Sequence, residues 1–228
     1  MKEFLKISLL PLLCLFLTSN VLLQAQTCNI GAQDIVIADQ IDIDNFQLFL
    51  QANFGTTGTC TNLVFDDGFG LVVIDSGVFG PDITDLNGLS DLVSVDGYFV
   101  VLYTGIANVF GLSNLVSVSG DFVFLENIDL VDLSDLSTLQ TVGGDLDITS
   151  NFSLPDLTGL ETLQSVGGTF FLEENFSVTD ISALSTSLTS VGSLFIFLMD
   201  GLTSLAGLEN LTTITGDVFI ETNLLLDD

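Results

Sequence analysis

GGDLDITSN, Gly143–Asn151, is written two further times in close variants: SGDFVFLEN at Ser119–Asn127 and TGDVFIETN at Thr215–Asn223. The glycine ahead of each apolar pair recurs at Gly97, Gly120, Gly144, Gly168, Gly192 and Gly216, in steps of 23, 24, 24, 24 and 24 residues. Self-similarity at such a period means a stacked architecture, in which each unit leans on its neighbours. One unit reads GDLDITSNFSLPDLTGLETLQSVG, residues 144–167. The following unit shifts by one residue near Ser187, so the Gly192 unit can be read one position either way.

Alternation assigns the positions. Leu146 and Ile148 are apolar and one residue apart, as are Phe122 and Phe124, Phe170 and Leu172, and Val218 and Ile220. A period of two in a short run marks a half-buried strand. Beyond it the spacing changes to three: Leu154, Leu157, Leu160, Leu163 and Val166. That stretch is too rich in Ser, Thr and Gly for an ordinary helix and reads as a coil turning an apolar side chain inward at every third residue. A single unit cannot bury such a stripe; a stack buries it in one core.

Asn127, Asn151, Asn175 and Asn223 close the phrase at one fixed position, where the strand must turn. An inward asparagine there satisfies backbone groups that the turn leaves unpaired, and stacking makes the four a ladder, interrupted by Thr104 and Met199. Asn151-Phe152-Ser153 and Asn175-Phe176-Ser177 also match the glycosylation acceptor pattern. A ladder residue faces inward, out of reach of a transferase. Asn210-Leu211-Thr212 is off the ladder and is the accessible acceptor, in a host that glycosylates.

The 228 residues are 48% apolar, enough for one substantial core. Residues 1–25 contribute part of this: Lys2 and Lys6, a long apolar run, then a small residue at Ala25. That is the pattern of a secretory signal peptide. The alternative is an uncleaved membrane anchor, against which Thr18, Ser19 and Asn20 interrupt the run. No later segment reads as a spanning helix. Cys28 and Cys60 remain after cleavage, and an even count in an exported chain predicts a disulfide closing the region before the repeats. With no histidine in the chain, two cysteines do not make an ordinary zinc site.

Lys2 and Lys6 are the only basic residues against 30 acids, and there is no histidine. After cleavage 30 − 1 = 29 acids remain, Glu3 having left, with no cationic side chain to pair them. Such a field repels nucleic acid and anionic membrane. One reading is a solvated acidic surface suited to salt. The other is calcium, for which stacking would align Asp121 and Asp145. DQIDIDN, Asp39–Asn45, lacks the glycine and closing glutamate of an EF-hand loop, so only weak, diffuse calcium binding is expected and no other cofactor. Without histidine or lysine the usual bases and Schiff-base formers are missing, so catalysis is not expected. A glycosidase-like pair of carboxylates is the minor alternative.

GLTSLAGLENLTTITGDVFIETN and DLTGLETLQSVGGTFFLEEN resemble the leucine-rich-type repeats of the receptor L-domain family. The resemblance implies a mainly β, short right-handed β-helix. TCNIGAQDIVIADQIDIDNFQLFLQANFGTTGTCTNLVF, Thr27–Phe65, resembles the lead-in of secreted proteins of the Bacteroidetes type, in which a short polar region and helix precede the repeats. The resemblance covers Thr61–Asp228 well and Thr27–Cys60 loosely. It implies a secreted or extracellular, cell-surface location and leaves function open, since the fold hosts receptors, wall proteins and adhesins alike.

The expected organisation is a signal peptide at 1–25, a disulfide-stabilised cap with a short helix at 26–68, and a repeat solenoid at 69–228. Asp34–Leu50 reads as a strand followed by a short helix that closes the first turn. The long step from Gly70 to Gly97 places a protruding loop at Ser76–Ile83. NLLLDD, Asn223–Asp228, begins another inward stripe and predicts further repeats beyond it.

Function then falls to the surface of the stack. Between the inward pairs, the middle outward positions are Val100, Val123, Asp147, Phe171, Phe195 and Phe219, with Leu102, Leu125 and Phe197 beside them. A strand facing water should be polar there. Val100, Val123, Phe171, Phe195 and Phe219 are therefore the candidate partner-binding face, centred on the three phenylalanines. The expected role is a non-catalytic binding or adhesion module taking a protein or glycan, or a second copy of the chain. The alternative is an acidic spacer or matrix protein with no specific ligand.

Overall fold

A computed structural model describes residues 26–31, 33–56, 59–65, 71–75 and 83–226. The expected signal peptide and the loop at residues 76–82 lie outside the described residues. The fold is a parallel β-solenoid with few helices, and its regular part makes about six turns.

Each turn contributes to two parallel ladders. The second to be reached along each turn is the one announced by alternation: Tyr98–Leu102, Phe122–Leu125, Leu146–Thr149, the later parts of Ser165–Glu173 and Ser190–Phe197, and Val218–Glu221. Pairing is in register from turn to turn, so Phe122, Leu146, Phe170, Leu194 and Val218 form one inward column. A parallel sheet needs both faces accounted for, and here the inner face is the core. Phe99 stacks on Phe122 at 5.3 Å between ring centroids, and Phe122 meets Phe124 at 4.8 Å.

The other ladder departs from the sequence reading. The stretch with apolar spacing of three is not plain coil. It holds a 3-10 turn in several repeats, as at Phe110–Leu112 and Ser134–Leu136, and then a two-residue strand. Ser94–Asp96, Ser117–Val118, Thr141–Val142, Ser165–Val166, Ser190–Val191 and Thr213–Ile214 pair as the other ladder of one 14-stranded sheet. Val95, Val118, Val142, Val166 and Val191 point into the core from it. Two residues per strand are too few for alternation to be visible in the sequence. The extra residue near Ser187 lengthens the 3-10 turn to Ser182–Thr186. A register shift between Val166 and Thr169 takes it up again, so Phe195 stands opposite Phe171.

Two corners shape each turn. At one, glycines allow close approach: a Cβ on Gly168 would collide with the Asp145 carboxylate and the Gly144 backbone. At the other, Tyr103, Glu126, Ser150, Glu174, Leu198 and Thr222 have φ between 52° and 57°. Left-handed backbone costs a non-glycine residue roughly 1–2 kcal/mol. The residue after each turns inward and offsets this. The Asn151 Oδ1 accepts from the Asn127 amide at 3.1 Å, and its Nδ2 donates to the Phe124 carbonyl at 2.9 Å. Asn127, Asn175 and Asn223 repeat the pattern on their own preceding turns.

The N-terminal region joins the same sheets. Gln26–Gly31 pairs with Cys60–Phe65, and Ile35–Ile37 pairs with Leu71–Asp75. Cys60–Phe65 and Leu71–Asp75 pair in turn with Ser94–Asp96 and Tyr98–Leu102, and the boundary expected at 68/69 lies outside the described residues. Two helices stand where one was expected, α1 (Gln40–Asp44) and α2 (Phe46–Phe54). Asp39 caps α1 by accepting from the Asp42 amide. Ile43, Phe46 and Leu50 close the end of the core. The Gln47 side chain bonds both the amide and the carbonyl of Cys60, and Gln40 does the same for Asp85. Cys28 and Cys60 are disulfide-bonded, with Cα atoms 5.5 Å apart. At the other end, Val218 is 53% exposed at a position buried in the preceding turns, because no further described turn stacks upon it.

Candidate binding face

The inward column and the corner fix where the outward residues go. Val100, Val123, Asp147, Phe171, Phe195 and Phe219 are direct neighbours on successive strands. The Phe171 and Phe195 rings lie 5.2 Å apart, Phe195 and Phe219 stack at 5.4 Å, and Phe197 reaches Phe219 at 6.1 Å. Val100, Val123, Phe171 and Phe195 are half-buried and Phe219 is exposed. Beside them run Leu102, Leu125, Thr149, Glu173, Phe197 and Glu221. The face is mainly apolar towards both ends, with Asp147, Thr149 and Glu173 set into its middle and Glu221 beside Phe197 on the last strand.

Burial pushes the Asp147 carboxyl above its usual range, the Thr149 hydroxyl that donates to it opposes this, and Asp145 and Asp121 add repulsion. Glu173 is raised first by burial, then by Glu174 and Asp147. Both acids sit in a partly dry setting, and the described residues include no lysine, arginine or histidine.

A second apolar column lies just past the left-handed corner, and the sequence reading missed its role. Ile128, Phe152 and Phe176 each follow a ladder asparagine and are exposed. Phe152 and Phe176, 39% and 42% exposed, stack at 5.4 Å with their planes 9° apart. The signal was available: a residue directly after an inward one at a corner must face out. Asn151 and Asn175 are fully buried, while Asn210 is exposed, its Nδ2 donating to the Ser185 carbonyl.

Many of the acids prove to be structural. The sequence reading gave repeat-surface acids mainly to solvation. Asp132, Asp156 and Asp180 each accept from an amide two residues on, opening the third side of the turn. Asp121 Oδ1 accepts from the Asp145 amide and Asp145 Oδ1 from the Thr169 amide, one turn later in each case. The pair considered for calcium is therefore spending an oxygen each on the backbone. Among the described residues no group of three or more Asp, Glu or Cys is placed to hold a metal ion, and no helix is long and apolar enough to cross a membrane. Comparison with protein-family models, curated proteins and solved structures returns no match.

Proposed function

We propose that the chain is a non-catalytic binding module of a secreted or cell-surface protein, taking a protein or glycan partner on the outward face of the longer-stranded sheet. The observation that carries this reading is the run of outward phenylalanines, Phe171, Phe195 and Phe219, in contact across three turns. Apolar surface of this continuity marks an interaction site more often than it is left to water, and aromatic side chains are favoured anchors. The resemblance to receptor L-domain repeats supports the same class. The lack of lysine and histidine beyond Lys6 supports a non-catalytic role.

The test is a variant with Phe171, Phe195 and Phe219 all replaced by Ser, applied with the parent protein to glycan arrays and to intact cell surfaces. The reading expects saturable binding by the parent, lost in a variant that still melts cooperatively. An acidic spacer would show no saturable partner and would be indifferent to the substitution. A glycosidase would have to use Asp147 and Glu173, and would release reducing ends from the glycans it binds.

A further inference from the structure

We infer that the partner on this face is a polypeptide segment presenting lysine or arginine between apolar side chains. The inference rests on the binding-module reading above. Six consecutive residues, Phe171 to Phe176, run along this face and round the left-handed corner at Glu174. Leu172 and Asn175 are fully buried. Phe171, Glu173, Glu174 and Phe176 are left outside. The surface thus reads ring, carboxylate, carboxylate, ring. Each ring meets the ring of a neighbouring turn, Phe171 tilted against Phe195 at 5.2 Å and Phe176 stacked on Phe152 at 5.4 Å. The two aromatic rails overlap at this one turn, where Glu173 and Glu174 lie between Phe171 and Phe176.

Charge selects among the occupants. Residues 7–228 contain no cationic side chain, so nothing in the chain itself neutralises Glu173 and Glu174. A second copy would bring the same negative field to the contact, and like charges brought together cost affinity. An anionic glycan is repelled for the same reason. A neutral glycan could cover the rings and donate hydroxyls to the carboxylates, but it brings no positive charge to offset them. A basic segment supplies what is missing: aliphatic or aromatic side chains for the two rails and ammonium or guanidinium groups for the acids between them. Burial and mutual repulsion already hold Glu173 above its usual range, so a nearby cation relieves an existing strain.

The experiment titrates the whole protein with three synthetic ten-residue peptides, alternating Lys–Leu, Gln–Leu and Glu–Leu, and with a neutral oligosaccharide. The proteins are the parent, the Phe171/Phe195/Phe219→Ser variant, a Glu173→Gln/Glu174→Gln variant, and a charge-matched control, Asp91→Asn/Glu209→Gln, outside the face. Melting curves confirm that each is folded; Gln at 174 can still accept from the Ser150 hydroxyl, which donates to Glu174 at 2.8 Å. The inference expects binding of the Lys–Leu peptide alone, weakened about tenfold in Glu173→Gln/Glu174→Gln, as two exposed pairs would give, and by less than about twofold in the control. Equal weakening in the control means a diffuse field and overturns the inference. Binding that survives Glu173→Gln/Glu174→Gln but is lost in the Ser variant, or binding of the oligosaccharide instead, overturns the basic partner and sustains the face. Binding that survives in a folded Ser variant overturns the face itself. No binding of the Lys–Leu peptide by the parent also overturns the inference.

Discussion

Asn151 bonds across the stack with one side chain, and what it holds can be priced by removing it. Its Oδ1 serves the Asn127 amide and its Nδ2 the carbonyls of Phe124 and Thr149. Asn151→Ala leaves the Asn127 amide and the Phe124 carbonyl without these partners, at about 1–3 kcal/mol for each buried group. We expect a loss of about 2–4 kcal/mol in denaturant unfolding; a loss below about 0.5 kcal/mol would mean that the ladder is ornamental. Asp147 gives a second prediction at this scale. Its folded carboxyl titrates above its ordinary value, chiefly through burial. The folded state then binds more protons than the unfolded state between the two pKa values, so stability falls as pH rises through that window. Acidifying towards the ordinary value of 3.8 should raise the melting midpoint as the folded carboxyl takes up its proton first. Asp147→Asn should raise the midpoint at neutral pH and flatten that slope. A midpoint that drops on mild acidification contradicts this account.

The long strands and their asparagine corner were legible at the level of the element, because a 24-residue repeat sets Leu146 and Ile148 beside their copies and exposes any change of period. The short strands were not, since Thr141–Val142 offers two residues to a pattern that needs four or more. The face was legible at Phe171, Phe195 and Phe219 because outward positions in a strand should be polar and these are not. Its second rail, Ile128, Phe152 and Phe176, was not, because corner residues obey no period and only the buried asparagine before each gives them away. The glycine corner makes an element-scale prediction. A Cβ at Gly168 meets the Asp145 carboxylate, which accepts from the Thr169 amide. Gly168→Val should part these turns and cost more than about 2 kcal/mol, within the range of overpacking. At the cap, the Cys28–Cys60 bond closes a separation of 32 residues. Replacing both by Ser should lower stability by about 3–4 kcal/mol on a chain-entropy estimate. Retained stability in that double variant would show that α1, α2 and their glutamine bonds hold the cap without it.

The molecule as a whole stacks carboxylates as well as core. Asp156 and Asp180 are direct neighbours on the third side, and both are fixed there by the amides they accept from. With 30 acids and a formal charge of −28, only dissolved ions screen this. The melting midpoint should therefore rise with NaCl, and calcium and magnesium at equal ionic strength should act alike; a gain peculiar to calcium would reveal a specific site. The register of the whole stack decides which side chains turn inward and which are presented. Phe170 and Phe171 are adjacent in sequence and identical in chemistry, yet Phe170 is fully buried and Phe171 lies on the outward face. A slip of one residue would exchange them. Denaturant unfolding of Phe170→Ser and Phe171→Ser, measured side by side, decides the matter. The account predicts a loss of about 3–5 kcal/mol for Phe170→Ser and about 1 kcal/mol for Phe171→Ser, which gives up an aromatic contact at the surface. Equal losses, or the larger loss at Phe171, would place the proposed face in the core and contradict the account.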